Sequence, residues 1–235
     1  FASRRIAIDG NFFLMAKYKT AYAGALAVTD LNVTIDEPDF VDRTVVRTKF
    51  LDGIFSTLIE MMKAWILPVL IFDGKPPEDK RGTLDQRKAL RVKQQAEIDA
   101  IVDTYRNGSG FLDVSKLQKK LKEASPVNQE DMDLVKTVIS NMGIPCLQAV
   151  SEGEQLCAML AIEGSVAAVW STDTDTLTYG CPLLITSFSK QTMNGEKCLM
   201  CVRLDKVLEG FNTPFSTFVD FCIMLGCDYN KRIPK

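Results

Sequence analysis

Aspartates follow three short apolar runs of this chain, and their placement suggests a site for cations. The residues are Asp9, Asp73 and the pair Asp173 and Asp175. If each run forms a buried parallel strand, all four carboxylates lie at the carboxyl ends of the strands, where open α/β sheets bind ligands. Carboxylates crowded in this way raise each other's pKa, and divalent cations relieve the repulsion.

Two further acidic segments are candidates for the same site. Glu152 and Glu154 stand at the predicted start of a helix, and Asp228 follows a predicted helix near the end of the chain. Hard oxygen ligands suit Mg²⁺ or Mn²⁺, and two such ions roughly 4 Å apart stabilise both the attacking and the leaving oxygen at phosphorus. A bound cation also lowers the pKa of water, which supplies a nucleophile in a chain that has no histidine.

Each carboxylate also has a purely structural interpretation. Ser151 and Glu154 have the spacing of a capping box, and Glu152 stands where a helix dipole favours an acid. Asp173 can cap a helix, and Asp9 can simply end a strand. The shared placement of these residues, rather than any one of them, favours a metal site.

The composition excludes several classes of protein. Without histidine there is no Ser-His-Asp triad, no Cys-His pair and no His-bound zinc. The 28 basic and 30 acidic residues give a net charge of −2, which argues against coating nucleic acid over the whole surface but permits local patches. Seven scattered cysteines are typical of an intracellular protein without disulfides, and we expect no membrane span.

Hydrophobic patterning predicts an α/β fold. The apolar runs at residues 6–8, 68–72 and 166–170 read as buried parallel strands separated by helical stretches. Helices are predicted at 45–63, 127–142, 151–162 and 215–225. Residues 183–202 are predicted to form two strands joined by a turn near Asn194 and Gly195.

A basic segment follows the second predicted strand. Two predicted helices, separated by a polar break at residues 107–110, form an insertion outside the sheet. Lys80 and Arg87 are seven residues apart, so on a helix they share one face, where they can neutralise phosphate near the carboxylates. A solvated charged face is the alternative. The basic residues predicted to contact nucleic acid are Lys75, Lys80, Arg81, Arg87, Lys88 and Arg91.

Four sequence blocks resemble the signature motifs of flap endonucleases, the XPG-type structure-specific 5′ nucleases. They occur in the family's order, and the resemblance extends from about Arg4 to Tyr229. The blocks are FDGKPP at 72–77, SEGE at 151–154, STDTD at 171–175 and LGCDY at 225–229.

The resemblance implies a PIN-like α/β core with a mostly parallel central sheet flanked by helices. It implies one nuclease catalytic domain over 1–235, composed of N- and I-type regions, with a basic helical arch at about 77–126. The family's helix-hairpin-helix region is expected to be missing after 235. The implied ligands of two Mg²⁺ ions, with Mn²⁺ as a substitute, are Asp9, Asp73, Glu152, Glu154, Asp173, Asp175 and Asp228.

The resemblance also implies a reaction and its partners. The expected activity is Mg²⁺-dependent hydrolysis of DNA phosphodiester bonds near 5′ flap or branch junctions, in replication, repair or recombination. Besides Asp173 and Asp175, the implied catalytic residues are Lys80 and Arg87 at the base of the arch. The expected partners are branched DNA with a 5′ single-stranded flap, and a sliding clamp bound through a region outside this chain. The expected location is the nucleus, or a cytoplasmic replication site if a large DNA virus encodes the protein.

The chain also departs from the family pattern in its N-terminal part. Met15 stands where the family has a base-stacking tyrosine, although Phe12, Phe13 and Tyr18 are close in sequence. The chain begins at Phe1 without the family's Met-Gly start and its short N-terminal helix, so we expect a fragment of a longer protein.

Three other functions compete with flap cleavage. The first is a 5′–3′ exonuclease, or an endonuclease for bubbles or junctions, of the same superfamily. The second is a metal-dependent glycosyltransferase using Asp173 and Asp175, which leaves Glu152, Glu154 and Asp228 unexplained. The third is a non-catalytic DNA-binding PIN-like scaffold, against which the complete set of carboxylates argues.

Overall fold

The computed structural model of the protein describes residues 4–37, 39–108, 111–125, 127–193 and 196–230. Its described residues form two compact units. The sheet unit lies within Phe1–Phe13, Leu58–Gly82 and Lys136–Lys235, and the helical unit lies within Leu14–Thr57 and Thr83–Val135. The predicted single domain and the arch boundaries stay predictions.

A sheet of six strands forms the centre of the described sheet unit. Neighbouring strands are parallel, except for the antiparallel pair at one edge, β5 and β6. This topology confirms the predicted mostly parallel sheet. In spatial order the strands are β3 (Cys146–Gln148), β2 (Ile66–Phe72), β1 (Arg4–Asp9), β4 (Ala168–Trp170), β5 (Leu183–Met193) and β6 (Glu196–Arg203).

Nine helices account for most of the other described residues. Those predicted at 45–63, 127–142, 151–162 and 215–225 correspond to α3, α6, α7 and α9, and the two basic helices to α4 and α5. The predicted turn near Asn194 and Gly195 lies outside the described residues. The helices are α1 (Gly10–Leu26), α2 (Leu31–Thr34), α3 (Arg43–Lys63), α4 (Arg81–Arg106), α5 (Val114–Ala124), α6 (Gln129–Asn141), α7 (Gly153–Ile162), α8 (Leu204–Phe211) and α9 (Phe215–Leu225).

The core of the sheet unit explains why its inner strands are continuously apolar. Ala7, Val69 and Val169 come from three neighbouring strands, and all are buried in one cluster with Cys157 and Ala158 of α7. Helix α7 contacts β1, β2 and β4. Because this packing fixes the strand ends, it also fixes the residues that follow them.

The helical unit has its own core and a buried carboxylate that is bound by partly exposed arginines. Tyr18 packs edge-on against Phe50, with ring centroids 5.2 Å apart. Asp131 is fully buried, and Arg47 binds its Oδ1 at 2.7 Å while Arg43 lies 3.6 Å from Oδ2. None of the described helices is long and apolar enough to span a bilayer.

Candidate active site

Asp9 is the most buried aspartate of the predicted site. It ends β1 and is 6% exposed. The backbone N–H of Phe12 donates to its Oδ1 at 3.0 Å, and the Ser171 hydroxyl donates to its Oδ2 at 3.3 Å. Burial raises the pKa of Asp9 to about 6, and the charges of Asp73 and Asp173 act in the same direction. The carboxylate therefore lies in a region of excess negative charge.

Asp73 follows β2 and is fixed by the start of α7. Its Oδ1 accepts the backbone N–H of Gly153 at 2.7 Å, and its Oδ2 accepts a bond from the Asn11 amide. A Cβ at residue 153 would lie 2.9 Å from that Oδ1, so glycine permits the approach. A Cβ at Gly74 would lie 2.1 Å from the Ala149 carbonyl oxygen, so glycine is required there too.

Glu152 does not act as a helix cap. It occupies the N-cap position of α7, but its side chain makes no capping hydrogen bond. The capping box that Ser151 and Glu154 suggested is therefore absent. Glu152 is instead buried, with 8% of the residue exposed, and its carboxylate accepts a hydrogen bond from Lys80 Nζ at 2.6 Å.

Glu154 carries the largest upward pKa shift among the predicted ligands. It lies in the first turn of α7, and burial is the main cause that raises its pKa to about 8. The charges of Asp173, Asp9 and Asp175 raise it further, whereas Lys80 lowers it. These electrostatic effects place Glu154 among carboxylates from two other parts of the chain, the end of β1 and the turn after β4.

Asp173 has both a structural and an electrostatic role. It caps the 3₁₀ turn Thr174–Leu177, where its Oδ1 accepts the backbone N–H of Asp175 at 2.9 Å. The capping interpretation is thus confirmed, yet the same charge raises the pKa of Asp9 and Glu154. Burial, followed by Asp173 and Asp228, raises the pKa of Asp175.

Lys80 forms salt bridges with two of the predicted metal ligands. Its Nζ lies 2.6 Å from Glu152 Oε2 and 3.1 Å from Asp228 Oδ2, and 5.8 Å from the centre of the Tyr229 ring. The Tyr229 hydroxyl is 3.4 Å from that of Tyr179. Burial disfavours the charged ammonium, but the bonds to both carboxylates outweigh this and raise the pKa of Lys80.

The chemistry of these side chains fits divalent cations. In the described part of the chain, no group of three or more Asp, Glu or Cys side chains is arranged to hold a metal ion. However, all seven predicted ligands offer hard oxygen donors, and the pKa of Asp9, Glu154 and Asp175 is raised. A divalent cation would lower these pKa values, as Lys80 already does for Glu154 and Asp175.

The basic residues are distributed over both units. Lys75 and Arg81 are exposed in the sheet unit, whereas Arg87, Lys88 and Arg91 are exposed on α4 in the helical unit. Helix α4 begins only at Arg81, and Lys80 ends a preceding 3₁₀ turn, so Lys80 and Arg87 do not share a regular α-helical face as predicted. The contacts of these side chains with DNA stay predictions.

Two of the three aromatic residues near Met15 are unsuited to stacking a base. Phe13 is 1% exposed and packs against Trp170, and Tyr18 is 3% exposed against Phe50. Phe12, the third of these residues, is half-buried and retains access to solvent.

Two polar residues of the site were not predicted from the sequence. Ser171 and Asn11 bind the side chains of Asp9 and Asp73. Both lie within two residues of a strand end, and this position was the signal that could have identified them.

The chain matches two family models. Residues 1–94 match the XPG N-terminal domain, and residues 143–228 match the XPG I-region. Flap endonuclease 1 of Cryptosporidium muris (strain RN66) is 35% identical over 189 residues, covering 77% of this chain and 39% of that protein. Flap endonuclease 1 of Arthroderma otae is 32% identical over 234 residues, covering 99% of this chain and 54% of that protein. The chain thus spans about half the length, or less, of these relatives.

Solved structures show the same fold. The catalytic core of Rad2 in complex with DNA substrate superposes with a TM-score of 0.62 at 20% identity, covering 99% of this chain and 57% of that one. Flap endonuclease-1 from Methanococcus jannaschii superposes with a TM-score of 0.57 at 25% identity, covering 98% of this chain and 66% of that one.

A mostly parallel sheet with carboxylates along the carboxyl ends of its strands defines a PIN-like α/β protein. Within that class, the chain belongs to the XPG family and contains a flap endonuclease-type catalytic core. Flap endonucleases depend on divalent metal ions, in agreement with the acidic site.

Proposed function

We propose that this chain is the catalytic core of a structure-specific 5′ nuclease that hydrolyses DNA phosphodiester bonds near 5′ flap junctions. The observation that carries the proposal is the carboxylate cluster at the ends of β1, β2 and β4, next to the start of α7. The similarity to flap endonucleases over almost the whole chain supports the same reaction and branched DNA as its substrate.

The proposed cofactor is a pair of Mg²⁺ ions, for which Mn²⁺ can substitute. Asp9, Asp73, Glu152, Glu154, Asp173, Asp175 and Asp228 would hold these ions, which supply water activation and charge neutralisation at phosphorus. The backbone N–H groups of Phe12 and Gly153 orient two of these carboxylates before any ligand binds. Lys80 holds a positive charge at the acidic edge, where negative charge develops on the phosphate. Arg87 of α4 is proposed to stabilise the same negative charge.

The test is cleavage of a 5′-labelled flap duplex by the full chain in Mg²⁺. The matched variant is Asp173→Asn/Asp175→Asn, with its fold checked by circular dichroism. We expect wild-type products clustered at the flap junction that disappear in the variant and in EDTA. A folded wild-type chain that yields no product with Mg²⁺ overturns the proposal and favours a DNA-binding scaffold.

Comparison of substrates separates the remaining alternatives. Products confined to the junction of the flap support flap cleavage, whereas stepwise products from a nicked duplex support a 5′–3′ exonuclease. Cleavage restricted to bubbles or four-way junctions supports the corresponding endonucleases. The contact with a sliding clamp, which was predicted for a region outside this chain, stays a prediction, as does the location in the nucleus or at a viral replication site.

A further inference from the structure

Trp65 combines two unfavourable features in the short link between α3 and β2. Its φ angle of 57° lies in the left-handed region, which is a rare backbone conformation for a bulky residue. The residue is also 71% exposed, so its indole ring gains little from burial. A residue that is both strained and exposed contributes little to stability, and strain of this kind is typical of functional sites.

Other helices of this chain have glycine at the position that Trp65 occupies. Gly108, Gly143 and Gly164 stand two residues after the last residues of α4, α6 and α7, with φ angles of 67°, 77° and 75°. Each N–H donates to the carbonyl oxygen three residues earlier, as the Trp65 N–H does to that of Met62 at 2.9 Å. Glycine adopts this conformation without strain. The indole of Trp65 is therefore present against the preference of the backbone.

Further apolar side chains are exposed beside Trp65. Ile59 and Met62 are three residues apart on the last turns of α3 and are 39% and 37% exposed, and Leu67 of β2 is 51% exposed. These four residues, called the Trp65 patch, all belong to the sheet unit. A group of exposed apolar side chains rimmed by polar residues is typical of a surface that binds a partner.

The rim of the Trp65 patch is mainly basic. Arg4 and Arg5 of β1 pair with the first two residues of β2, Lys63 ends α3, and all three side chains are exposed. Glu60, the acidic residue within residues 59–67, already has an interaction partner. Tryptophan and arginine are the side chains most enriched at the energetic centres of protein interfaces. The charge of the rim requires a partner that is acidic.

The position of the Trp65 patch argues against two other occupants. The patch precedes β2, whereas Asp73 follows it, so the seven residues of that strand separate the patch from the carboxylates by roughly 20 Å. The patch therefore lies outside the proposed reaction site. A symmetric dimer through this surface would bring the basic rim of one copy close to that of the other, and this repulsion opposes self-association.

We propose that the Trp65 patch is a docking site for an acidic peptide segment of a partner protein. An aromatic or aliphatic residue of the peptide packs against the indole, and its Asp or Glu side chains pair with Arg4, Arg5 and Lys63. This inference goes beyond the proposed function and does not depend on it, because docking at this end of the sheet involves none of the strand-end carboxylates.

The experiment selects peptides from a phage-displayed library of random dodecapeptides on the full chain, with counter-selection on Trp65→Gly. We expect the recovered peptides to carry acidic residues around an aromatic or aliphatic residue. In fluorescence anisotropy, the same peptides should bind Trp65→Gly at least about tenfold more weakly than wild type. A selection that recovers no peptide with a preference for wild type, or only peptides rich in Lys and Arg, overturns the proposal.

Two further variants test the specificity of peptide binding. Arg4→Gln/Arg5→Gln should weaken binding about two- to fivefold and reduce its dependence on salt, because exposed ion pairs are lost. Val150→Ala is the matched control, since it removes a 95% exposed apolar side chain that follows β3 at the other end of the sheet. This control should leave the affinity unchanged. An equal loss in Val150→Ala and Trp65→Gly would show non-specific apolar binding and would contradict a docking site.

Thermal unfolding separates docking from a structural role of Trp65. Trp65→Gly should keep the wild-type midpoint or raise it by up to about 4 °C, because relief of the left-handed backbone offsets the greater freedom of glycine in the unfolded chain. Its cleavage of flap DNA should equal that of wild type. A midpoint that falls clearly below that of wild type would show that the indole supports the fold, and would overturn the argument for docking.

The remaining outcomes identify a different occupant or a failure of the proposed function. If Trp65→Gly abolishes self-association of the chain in sedimentation, the patch joins two copies and the peptide proposal is wrong. The proposal is also wrong if flap DNA displaces the peptide and Trp65→Gly loses DNA affinity. If wild type binds the peptide through Trp65 but cleaves no flap DNA, docking is supported and only the nuclease proposal fails.

Discussion

The carboxylate cluster of the sheet unit and the basic surface of α4 and α5 hold their charges in different ways. Asp9, Asp73 and Asp173 lie at the ends of packed strands, Asp9 and Glu152 are buried, and backbone N–H groups bind Asp9 and Asp73. Of the basic groups, Arg87, Lys88 and Arg91 are exposed, and residues 81–97 of α4 contain no buried side chain. The carboxylates of the first region are therefore held in fixed positions, whereas the exposed basic side chains of the second region can change conformation.

This difference sets the size of the effects that substitutions should have. Charges placed in a low-dielectric site by a rigid scaffold interact strongly, so losing one changes the chemical step. Exposed charges are screened by salt, so losing one changes affinity by a smaller factor.

Asp9→Asn should abolish most of the proposed nuclease activity. We expect the single-turnover rate on a flap duplex to fall at least about 10³-fold, because the cluster loses a buried anionic ligand. The matched control is Asp52→Asn, which neutralises an exposed aspartate of α3 and should leave the rate unchanged. A loss below tenfold for Asp9→Asn would show that its carboxylate is not part of the reacting centre.

Lys80→Met should reduce the rate by about 10²- to 10³-fold, the range for removing one electrostatic stabiliser. The ammonium that bridges Glu152 and Asp228 is lost, whereas the length of the side chain is nearly kept. Lys63→Met, at the exposed end of α3, is the control. If both variants retain wild-type rates in saturating substrate, Lys80 has a structural role alone.

The stability of the metal-free protein should fall as pH rises. The folded state raises the pKa of Asp9 from 3.8 to about 6 and that of Glu154 from 4.5 to about 8. Folded protein therefore binds more protons than unfolded protein between about pH 4 and 8, so the free energy of unfolding decreases across that window. The contribution of Asp9 is about 2–3 kcal/mol.

Urea denaturation in EDTA at pH 5 and pH 8 measures this effect. The double variant Asp9→Asn/Glu154→Gln should flatten the pH dependence, and saturating Mg²⁺ should restore stability at pH 8 in wild type. Stability that increases from pH 5 to pH 8 without metal would contradict the electrostatic description of the cluster.

Lys88→Gln and Arg91→Gln should have the smallest effects. Each is expected to weaken flap binding by about two- to fivefold and to reduce the salt slope by about one, because one phosphate contact is lost. The rate at saturating substrate should stay unchanged. A fall in that rate with unchanged affinity would place these residues in the chemistry rather than on the binding surface.

The sequence predicted the elements whose periodicity is clear. Helix α9 matches its predicted range, and Asp9, Asp73 and Asp173 follow strands as expected. Helix α1 escaped prediction because its buried residues, among them Phe13, Leu14 and Tyr22, leave no single apolar stripe. Strand β3 is only three residues long, which is too short for a recognisable pattern.

At the site, the contacts between residues that are far apart in the sequence could not be predicted. The sequence predicted a phosphate contact for Lys80, which stays a prediction, but gave no sign that Lys80 binds Glu152, which is 72 positions away. Asn11 and Ser171 resemble ordinary residues after strands until the fold brings them to the carboxylates of Asp73 and Asp9. Such pairings depend on tertiary packing, which local patterns do not encode.

The most direct test of the account is titration of the full chain with Mn²⁺ by calorimetry, in parallel with two variants. Wild type and Lys88→Gln/Arg91→Gln should bind Mn²⁺ with equal affinity, whereas Asp173→Asn/Asp175→Asn should lose most of the binding while remaining folded. Mn²⁺ binding that survives in the acidic variant, or that is absent from folded wild type, would contradict the assignment of the strand-end carboxylates as the metal site.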